Sequence, residues 1–239
     1  MDVIIISVTK RLNGVCIAGI GKYNTWVRPT KREELELKDI KINDKEYISV
    51  GNVYEFHFSS KAPIQCQSEN YLIDDYREIK CKGTMPESER RKLFHQLSEN
   101  SLVTSDQSNN IADILRAKNR SIVMFGPVRL QSVYLHAEEN MKCPEISFSV
   151  DSVVVKGIQD KTNLQCTDLK FWQFARQLLK KNDTNSMTLD DTGIKKLLGY
   201  DKVFVIVGLT KLYHGKNWPM IIGLHMFPDY YQAIDYSDL

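Results

Sequence analysis

The sequence predicts a mainly-β (α+β) protein built from two small tandem barrels with a few short helices, and three observations lead to this prediction. Short runs of β-branched and aromatic residues recur along the whole chain, separated by turn signals. Helical patterns are few, and they do not alternate with strands in the rhythm that a parallel nucleotide-binding sheet requires. A length of 239 residues also suits two domains of ordinary size. We therefore place a first barrel with a helical insertion at residues 1–119 and a second barrel at residues 120–239.

The first half opens with a predicted β-hairpin. Residues 3–8 and 15–20 are rich in β-branched side chains, and Asn13 and Gly14 between them are a strong hairpin-turn signal. Short strands are predicted at residues 26–29 and 53–58. The segment 86–100 has an early proline, acidic residues and then an apolar face, and it predicts a helix. The polar segment 101–110 predicts a loop, and a short helix is expected at 111–117.

The second half repeats the β pattern around two helices. Thr167 and Asp168 are suited to cap a helix over residues 169–181, and Asp190 or Asp191 to start a helix that Gly199 ends. The predicted strands of this half are residues 122–125, 132–136, 146–156, 163–166, 203–209 and 220–227.

Charge and cysteine content restrict the classes of function. The chain has 32 basic and 30 acidic residues, so its net charge of +2 does not by itself indicate a polyanionic partner. Five scattered cysteines are typical of reduced thiols and predict a cytoplasmic location. The apolar run near the N-terminus is too short to span a bilayer, so we expect no membrane partner.

Four stretches resemble a known family, the bacterial dual OB-containing domain proteins. They occur in the family's order along almost the whole chain. The stretches are the first strand with Lys10-Arg11, residues 14–19 and Trp26-Val27-Arg28-Pro29; residues 67–73; Cys166-Thr167-Asp168 before an aromatic helix; and residues 208–211 through 222–228. The resemblance implies two tandem OB-like barrels, a role in nucleic-acid recognition and a setting in bacterial conflict or phage defence. It implies no catalytic residues.

Two groups of basic and aromatic residues are candidates for nucleic-acid binding. Single-strand-binding barrels combine cations along the phosphates with aromatic rings on which bases stack. The first group is Lys10, Arg11, Tyr23, Trp26 and Arg28, and the second is Lys211, Tyr213, His214, Lys216 and Trp218. The alternative is that Trp26 is a core or inter-domain anchor and that Lys10 and Arg11 form an ordinary solvated turn.

Four further polar residues have a structural or a ligand-binding interpretation. Glu69 and Asn70 follow a strand, where they could cap backbone groups, join the domains or contact a ligand. Thr167 and Asp168 stand at the predicted start of a helix and share this dual interpretation.

Metal, cofactor and catalytic motifs are missing from the sequence. It has no CxxC or HxxxH spacing for a metal and no G-x-S-x-G hydrolase motif, so we predict no cofactor. A metal-dependent nuclease could use Asp74, Asp75, Glu78 and Lys80, since paired carboxylates can hold Mg²⁺. These residues are more typical of a charged surface loop.

The sequence thus predicts a non-catalytic module that binds single-stranded DNA or RNA. The alternative from another class is a protein–protein adaptor that uses the barrel faces, with the aromatic and acidic segment 230–236 as a docking peptide. The nuclease is the weaker alternative.

Overall fold

The computed structural model describes residues 1–11, 14–43, 46–74, 78–105, 110–136, 143–230 and 234–236, with the side chain of residue 11 left out. Strands dominate the described chain and the helices are short, so the predicted mainly-β class is confirmed. The strands of the first half are β1 (Asp2–Arg11), β2 (Gly14–Ile20), β3 (Trp26–Thr30), β4 (Lys41–Asn43), β5 (Glu46–Tyr47), β6 (Asn52–Glu55), β7 (Phe58–Lys61), β8 (Asn70–Ile73) and β9 (Lys80–Thr84).

Seven of these strands form one curled sheet in the order β7-β8-β3-β2-β1-β6-β9. The predicted hairpin is confirmed, because β1 and β2 pair antiparallel from Ile4 opposite Ile20 to Arg11 opposite Gly14. Strand β3 pairs with β2 on one side and, in parallel, with β8 on the other. This parallel pairing joins two segments that are far apart in sequence.

The second half has smaller sheets and, among the described residues, two of the five α-helices. The helices of the chain are α1 (Glu87–Leu97), α2 (Ser101–Thr104), α3 (Ile111–Ala117), α4 (Leu169–Lys181) and α5 (Asp191–Leu198). The remaining strands are β10 (Ile122–Phe125), β11 (Arg129–His136), β12 (Glu145–Val150), β13 (Val153–Val154), β14 (Leu164–Gln165), β15 (Ser186–Leu189), β16 (Lys202–Leu209) and β17 (Pro219–Phe227). One sheet has the order β10-β16-β17, and the other has the order β13-β12-β11-β15, with β14 pairing β12.

Most predicted elements are found where the patterns placed them. Helix α4 begins after Asp168, whose side chain accepts a hydrogen bond from the backbone N–H of Phe171, and α5 ends at the left-handed Gly199. Three predictions were wrong in detail. Residues 101–104 are helical and not a loop. The single strand expected at 53–58 is divided between β6 and the start of β7, and the one expected at 146–156 is divided into β12 and β13. Strands β4, β5, β8, β9, β15 and most of β7 were not predicted, because they are short and lack a strong apolar pattern, and most of their residues are exposed or half-buried.

The hydrophobic cores of the two halves share side chains. Leu169 and Trp172 of α4 are buried in the core that β1, β2 and β6 form in the first half. Conversely, Ile111 and Leu115 of α3, which precede residue 120, are buried in the core formed by the strands of the second half. A third cluster joins β1 and β2 to α1, β10, β16 and β17. The predicted domain boundary between residues 119 and 120 stays a prediction, and apolar packing crosses it in both directions.

Candidate nucleic-acid interface

A groove with a volume of about 790 Å³ opens on the second half. One wall is the segment 157–165, which leads into β14. The other wall contains the start of β17 and the rings of Tyr213 and Trp218. All five predicted binding residues of the second group lie on the same short connection between β16 and β17. We call this connection, residues 210–218, the aromatic loop.

A tight turn shapes the tip of the aromatic loop. The backbone N–H of Tyr213 donates to the carbonyl of Lys216 at 2.8 Å, and the N–H of Lys216 donates back at 3.1 Å. The two residues between them, His214 and Gly215, both have positive φ, at 50° and 74°. Positive φ at both central residues is the mark of two-residue hairpin turns, and glycine adopts it without steric cost. The turn therefore presents Tyr213 and His214 from a defined backbone.

Hydrogen bonds inside the aromatic loop hold Trp218 at the groove wall. The backbone N–H of Trp218 donates to the hydroxyl oxygen of Thr210 at 2.9 Å, and its indole Nε1–H donates to the carbonyl of Tyr213 at 3.3 Å. The buried side chain of Asn217 donates to the carbonyl of Thr210 at 2.8 Å. The indole is only partly exposed, and its position is fixed at both the backbone and the ring.

Side chains of the first half form hydrogen bonds to the aromatic loop and to the end of β16 beside it. The side-chain oxygen of Gln65 accepts a hydrogen bond from the backbone N–H of Leu212 at 3.0 Å, and one from the Asn217 amide at 3.5 Å. Gln67, which is buried, donates to the carbonyl of Leu209 at 3.1 Å. The aromatic loop is thus held from both halves of the molecule.

The surface around the groove is aromatic and mostly basic. Tyr213 is 64% exposed, and Lys211 and His214 are exposed beside it. Lys161 lines the groove, Lys156 directly precedes its first wall in sequence, and Lys216 lies in the aromatic loop. Two carboxylates, Glu145 and Asp160, also line the groove, and Asp160 forms an ion pair with Lys156 at 3.7 Å. The four lysines on and beside the groove outnumber these two carboxylates, which suits a polyanion, while the carboxylates would moderate its affinity.

The predicted residues of the first half lie apart from this groove. Tyr23 is 83% exposed, with the Lys22 ammonium 4.6 Å from its ring centre. Trp26 is partly buried against the cluster that joins the two halves. The Lys10 ammonium lies 4.7 Å from the ring of Trp172 in α4.

Arg28 and Arg11 complete this first group. Arg28 is half exposed, and its backbone N–H donates to the carbonyl of Glu69 at 2.8 Å. The side chain of Arg11 lies outside the described residues. Of the two aromatic candidates in the first half, Tyr23 therefore has a more exposed ring than Trp26.

Glu69, Asn70, Thr167 and Asp168 are all buried. The Glu69 carboxylate accepts hydrogen bonds from the backbone N–H and the hydroxyl of Ser121, at 2.8 and 3.0 Å, and from the N–H of Ile122 at 3.2 Å. The Asn70 amide donates to the side-chain oxygen of Gln67 at 3.3 Å. These contacts favour the structural interpretation of Glu69 and Asn70.

Thr167 and Asp168 connect α4 to strand β17. The Thr167 N–H donates to the carbonyl of Ile221 at 2.8 Å. Asp168 accepts from the N–H of Phe171 at 2.9 Å and from that of Leu224 at 3.0 Å. Burial raises the pKa of Asp168 to about 6, although these backbone N–H groups favour its ionised form.

The sequence patterns did not reveal a polar cavity of about 250 Å³ between the halves. Arg90 of α1 and Lys170 of α4 both form ion pairs with Asp229 at this cavity. Burial alone would raise the pKa of Asp229, but the two cations hold it below its ordinary value. The neighbouring ring of His225 is buried, and burial together with Arg90 lowers its pKa to about 3. No local pattern marks these residues, since they come from three distant segments.

The predicted nuclease cluster does not gain support from its surroundings. Glu78 and Lys80 are exposed, and Asp75 lies outside the described residues. Within the described part of the chain, no three His, Cys, Asp or Glu side chains are arranged to hold a metal ion. All five cysteines are free thiols.

None of the helices in the described ranges has the length and apolar character needed to cross a membrane.

Comparison with known proteins identifies one family. No curated protein and no solved structure matches the chain. The family model of the dual OB-containing domain matches residues 1–224 of the 239 residues. This match includes three of the four stretches on which the resemblance was based and most of the fourth. The chain therefore belongs to the dual OB-containing domain family.

Proposed function

We propose that the protein is a non-catalytic module that binds single-stranded nucleic acid in the groove beside the aromatic loop. The observation that carries this proposal is that Tyr213, Trp218 and Lys161 line one groove, with Lys211 and Lys216 in the aromatic loop and Lys156 next to the opposite wall. Bases stack on exposed aromatic rings with about 1–3 kcal/mol per base, and lysines neutralise the phosphates between them. This combination suits a flexible single strand better than a stiff duplex.

The loop geometry supports binding without a large rearrangement. The turn at His214 and Gly215 and the hydrogen bonds of Thr210 and Gln65 define the backbone of the aromatic loop. A preorganised loop loses little conformational entropy when a ligand binds. Most of the free energy of stacking on Tyr213 and Trp218 would then contribute to the affinity for the ligand.

Fluorescence anisotropy of labelled single-stranded DNA, single-stranded RNA and duplex DNA tests the proposal. We expect both Trp218→Ala and Lys211→Glu to weaken single-strand binding, with the affinity of the tryptophan variant falling about 5- to 150-fold. If the four lysines each contact one phosphate, the logarithm of the affinity should fall with the logarithm of salt concentration with a slope of about −3.

A matched control separates groove contacts from bulk charge. Lys196 is exposed on α5 and is not part of the aromatic loop or of the groove lining, whereas Lys211 lies in the aromatic loop, so Lys196→Glu makes the same change in net charge at another place. The control should bind nearly as the unmodified protein does. Equal losses in the two lysine variants, or no binding of any nucleic acid at micromolar protein, would refute the proposal.

The adaptor function is the second candidate, and Leu212 is the observation that favours it. This side chain is 51% exposed beside Tyr213, which gives the loop an apolar tip that a protein partner could cover. The C-terminal segment, in contrast, is engaged within the chain. Tyr236 stacks on Tyr47 with ring centres 4.4 Å apart and donates its hydroxyl to the carbonyl of Ile48 at 2.6 Å. An adaptor would therefore use the aromatic loop, and co-purification with and without Leu212→Asp would test this.

A setting in bacterial conflict or phage defence stays a prediction. It rests on the family resemblance, and a plaque assay on cells with and without the protein would test it.

A further inference from the structure

The two halves of the chain contain the same unusual turn. A glycine with extended backbone, Gly21 or Gly157, precedes a short 3-10 turn in each half. The second residue after it is left-handed in both copies, with φ and ψ of 60° and 31° at Tyr23, and of 59° and 36° at Gln159. The glycine N–H donates to the carbonyl four residues later, at 2.8 Å in the first copy and 2.7 Å in the second. Left-handed backbone at a non-glycine residue is rare, so the match is a specific one.

The same repeat includes the strands and loops that follow. Nine residues after each glycine, Thr30 pairs in parallel with Leu72, and Cys166 pairs in parallel with Ile221. Eight residues before Leu72, Ile64 forms a bridged turn with Gln67.

Eight residues before Ile221, Tyr213 forms the same bridged turn with Lys216. Since all these spacings agree, each residue of one copy has a defined counterpart in the other.

The repeat assigns a first-half counterpart to each wall of the groove. Tyr23 corresponds to Gln159, Ile64 to Tyr213, and Tyr71 to Met220, and all three second-half residues line the groove. The counterparts are accessible, because Tyr23 is 83% exposed, Ile64 is 43% exposed and Tyr71 is half exposed. We call this surface, formed by Lys22, Tyr23, Lys61, Ile64 and Tyr71, the first-half face.

The first-half face also has cations placed over its rings. The Lys22 ammonium lies 4.6 Å from the ring centre of Tyr23, and the Lys61 ammonium lies 5.4 Å from that of Tyr71. Ring and cation together are what a single strand requires, one for a base and the other for its phosphate. The face lacks an indole, because Glu69 stands at the position that corresponds to Trp218 and is buried against Ser121. It should therefore bind more weakly than the groove.

The geometry points to the first-half face as a second binding surface, on which a single strand held in the groove continues. The two turn-bearing loops touch, since Gln65 at the centre of the first accepts the hydrogen bond from Leu212 in the second. A strand leaving Tyr213 thus meets the loop of Ile64 without crossing a gap. This inference rests on the proposed function and adds to it a ligand long enough to contact both halves.

Oligonucleotide length is the variable that tests the inference. A single OB-type barrel covers about 4–16 nucleotides, so labelled DNA and RNA single strands of about 8 and about 24 nucleotides distinguish one surface from two. We expect the long strand to bind at least about 10-fold more tightly, because the second contact forms at a high effective concentration. Tyr23→Ala should reduce the affinity for the long strand to near that for the short one and leave the short strand unaffected.

Two further variants complete the experiment. Tyr23→Phe keeps the ring and should bind both lengths as the unmodified protein does, while Tyr213→Ala should weaken both lengths. Equal affinity for the two lengths, with no effect of Tyr23→Ala, would overturn the inference and leave the groove as a single site. Failure of every oligonucleotide to bind would overturn the proposed function itself, so the two failures are distinguishable.

Discussion

His225 and Asp168 are buried ionisable residues whose effects on stability depend on pH in opposite directions. The Nε2 atom of His225 lies 2.7 Å from the carbonyl oxygen of Ile6, to which a neutral ring can donate. Burial and the Arg90 guanidinium lower the pKa of this ring to about 3. The ordinary value is about 6.5, so the unfolded chain binds a proton between these pH values and the folded chain does not. The free energy of unfolding therefore falls as the pH decreases through this range.

We expect His225→Gln to weaken this pH dependence. Glutamine can keep an N–H donor toward Ile6 and has no group that titrates. The stability advantage of the unmodified protein over the variant should shrink by up to about 1.4 kcal/mol per pH unit between pH 6 and 4. Asp168 opposes the trend between about pH 4 and 6, because its raised pKa makes the folded chain bind the proton more strongly. This contribution is common to both proteins and cancels in their difference.

Urea unfolding of the two proteins at a series of pH values measures the difference. A stability difference that stays constant from pH 7 to pH 4 would show that His225 is not the group responsible.

Glu69 is the second residue for which the structure makes a sharp prediction. Its carboxylate satisfies two backbone N–H groups and one hydroxyl at Ser121 and Ile122, all buried. Glu69→Ala should lower the free energy of unfolding by about 2–4 kcal/mol, because it leaves these donors unsatisfied. Glu69→Gln should retain most of the stability, since its oxygen can accept from the N–H groups and its amide can donate to the hydroxyl. Similar losses in the two variants, measured by urea unfolding, would contradict this assignment.

At the scale of elements, helices α4 and α5 each begin at an aspartate in a different environment. Asp168 is buried and also accepts from the N–H of Leu224 in β17, whereas Asp190 is exposed and accepts from the N–H of Gly193. We expect Asp190→Ala to cost about 1 kcal/mol, the usual value for a lost helix cap. Asp168→Ala should cost about 2–4 kcal/mol, since it also leaves a buried N–H of β17 unsatisfied. Thermal unfolding of both variants makes the comparison, and equal losses would mean that the contact with Leu224 adds nothing.

The elements also show what the sequence could predict. Helix α4 and its Asp168 cap were predictable, because a capping residue directly precedes an apolar helical pattern. The residues of the aromatic loop were likewise recognisable from their composition. The groove itself could not be predicted from the sequence, because its other wall is the segment 157–165, which contains few aromatic or basic residues. The repeated turn could not be predicted from the sequence either, because Tyr23 and Gln159 share a backbone conformation but have different side chains.

Long-range contacts explain why other features of the structure could not be predicted from the sequence. Glu69 meets Ser121, and Gln65 meets Leu212, across 52 and 147 residues of sequence. Local patterns describe periodicity and turns, but they do not indicate which polar side chain becomes buried against a distant strand. The sequence therefore allowed the structural role of Glu69 only as one alternative, and it gave no indication of the cavity at Arg90 and His225.

At the scale of the whole molecule, the shared cores predict that the halves depend on each other for folding. A fragment of residues 1–119 would lack Leu169 and Trp172, and a fragment of residues 120–239 would lack Ile111 and Leu115. Losing two such buried side chains costs about 4–10 kcal/mol, which is comparable to the whole free energy of unfolding of a typical domain. We expect neither fragment to unfold cooperatively alone and co-expression to restore a folded complex.

Near-ultraviolet circular dichroism and urea titration of each fragment and of the co-expressed pair make this measurement. Cooperative unfolding of the fragment 1–119 alone would show that its core does not require α4.

The position of Trp172 in the first-half core has a consequence for synthesis of the protein. Domains of multidomain proteins usually fold in order as they leave the ribosome, the N-terminal one first. Here the core of the first half is incomplete until α4 has been translated, roughly 50 residues after residue 119, which adds about 3–10 s at ordinary elongation rates. During this interval the apolar faces of β1 and β2 lack their partner helix. The nascent chain is therefore a natural client for a chaperone at the ribosome, and its yield should depend on how fast the second half is translated.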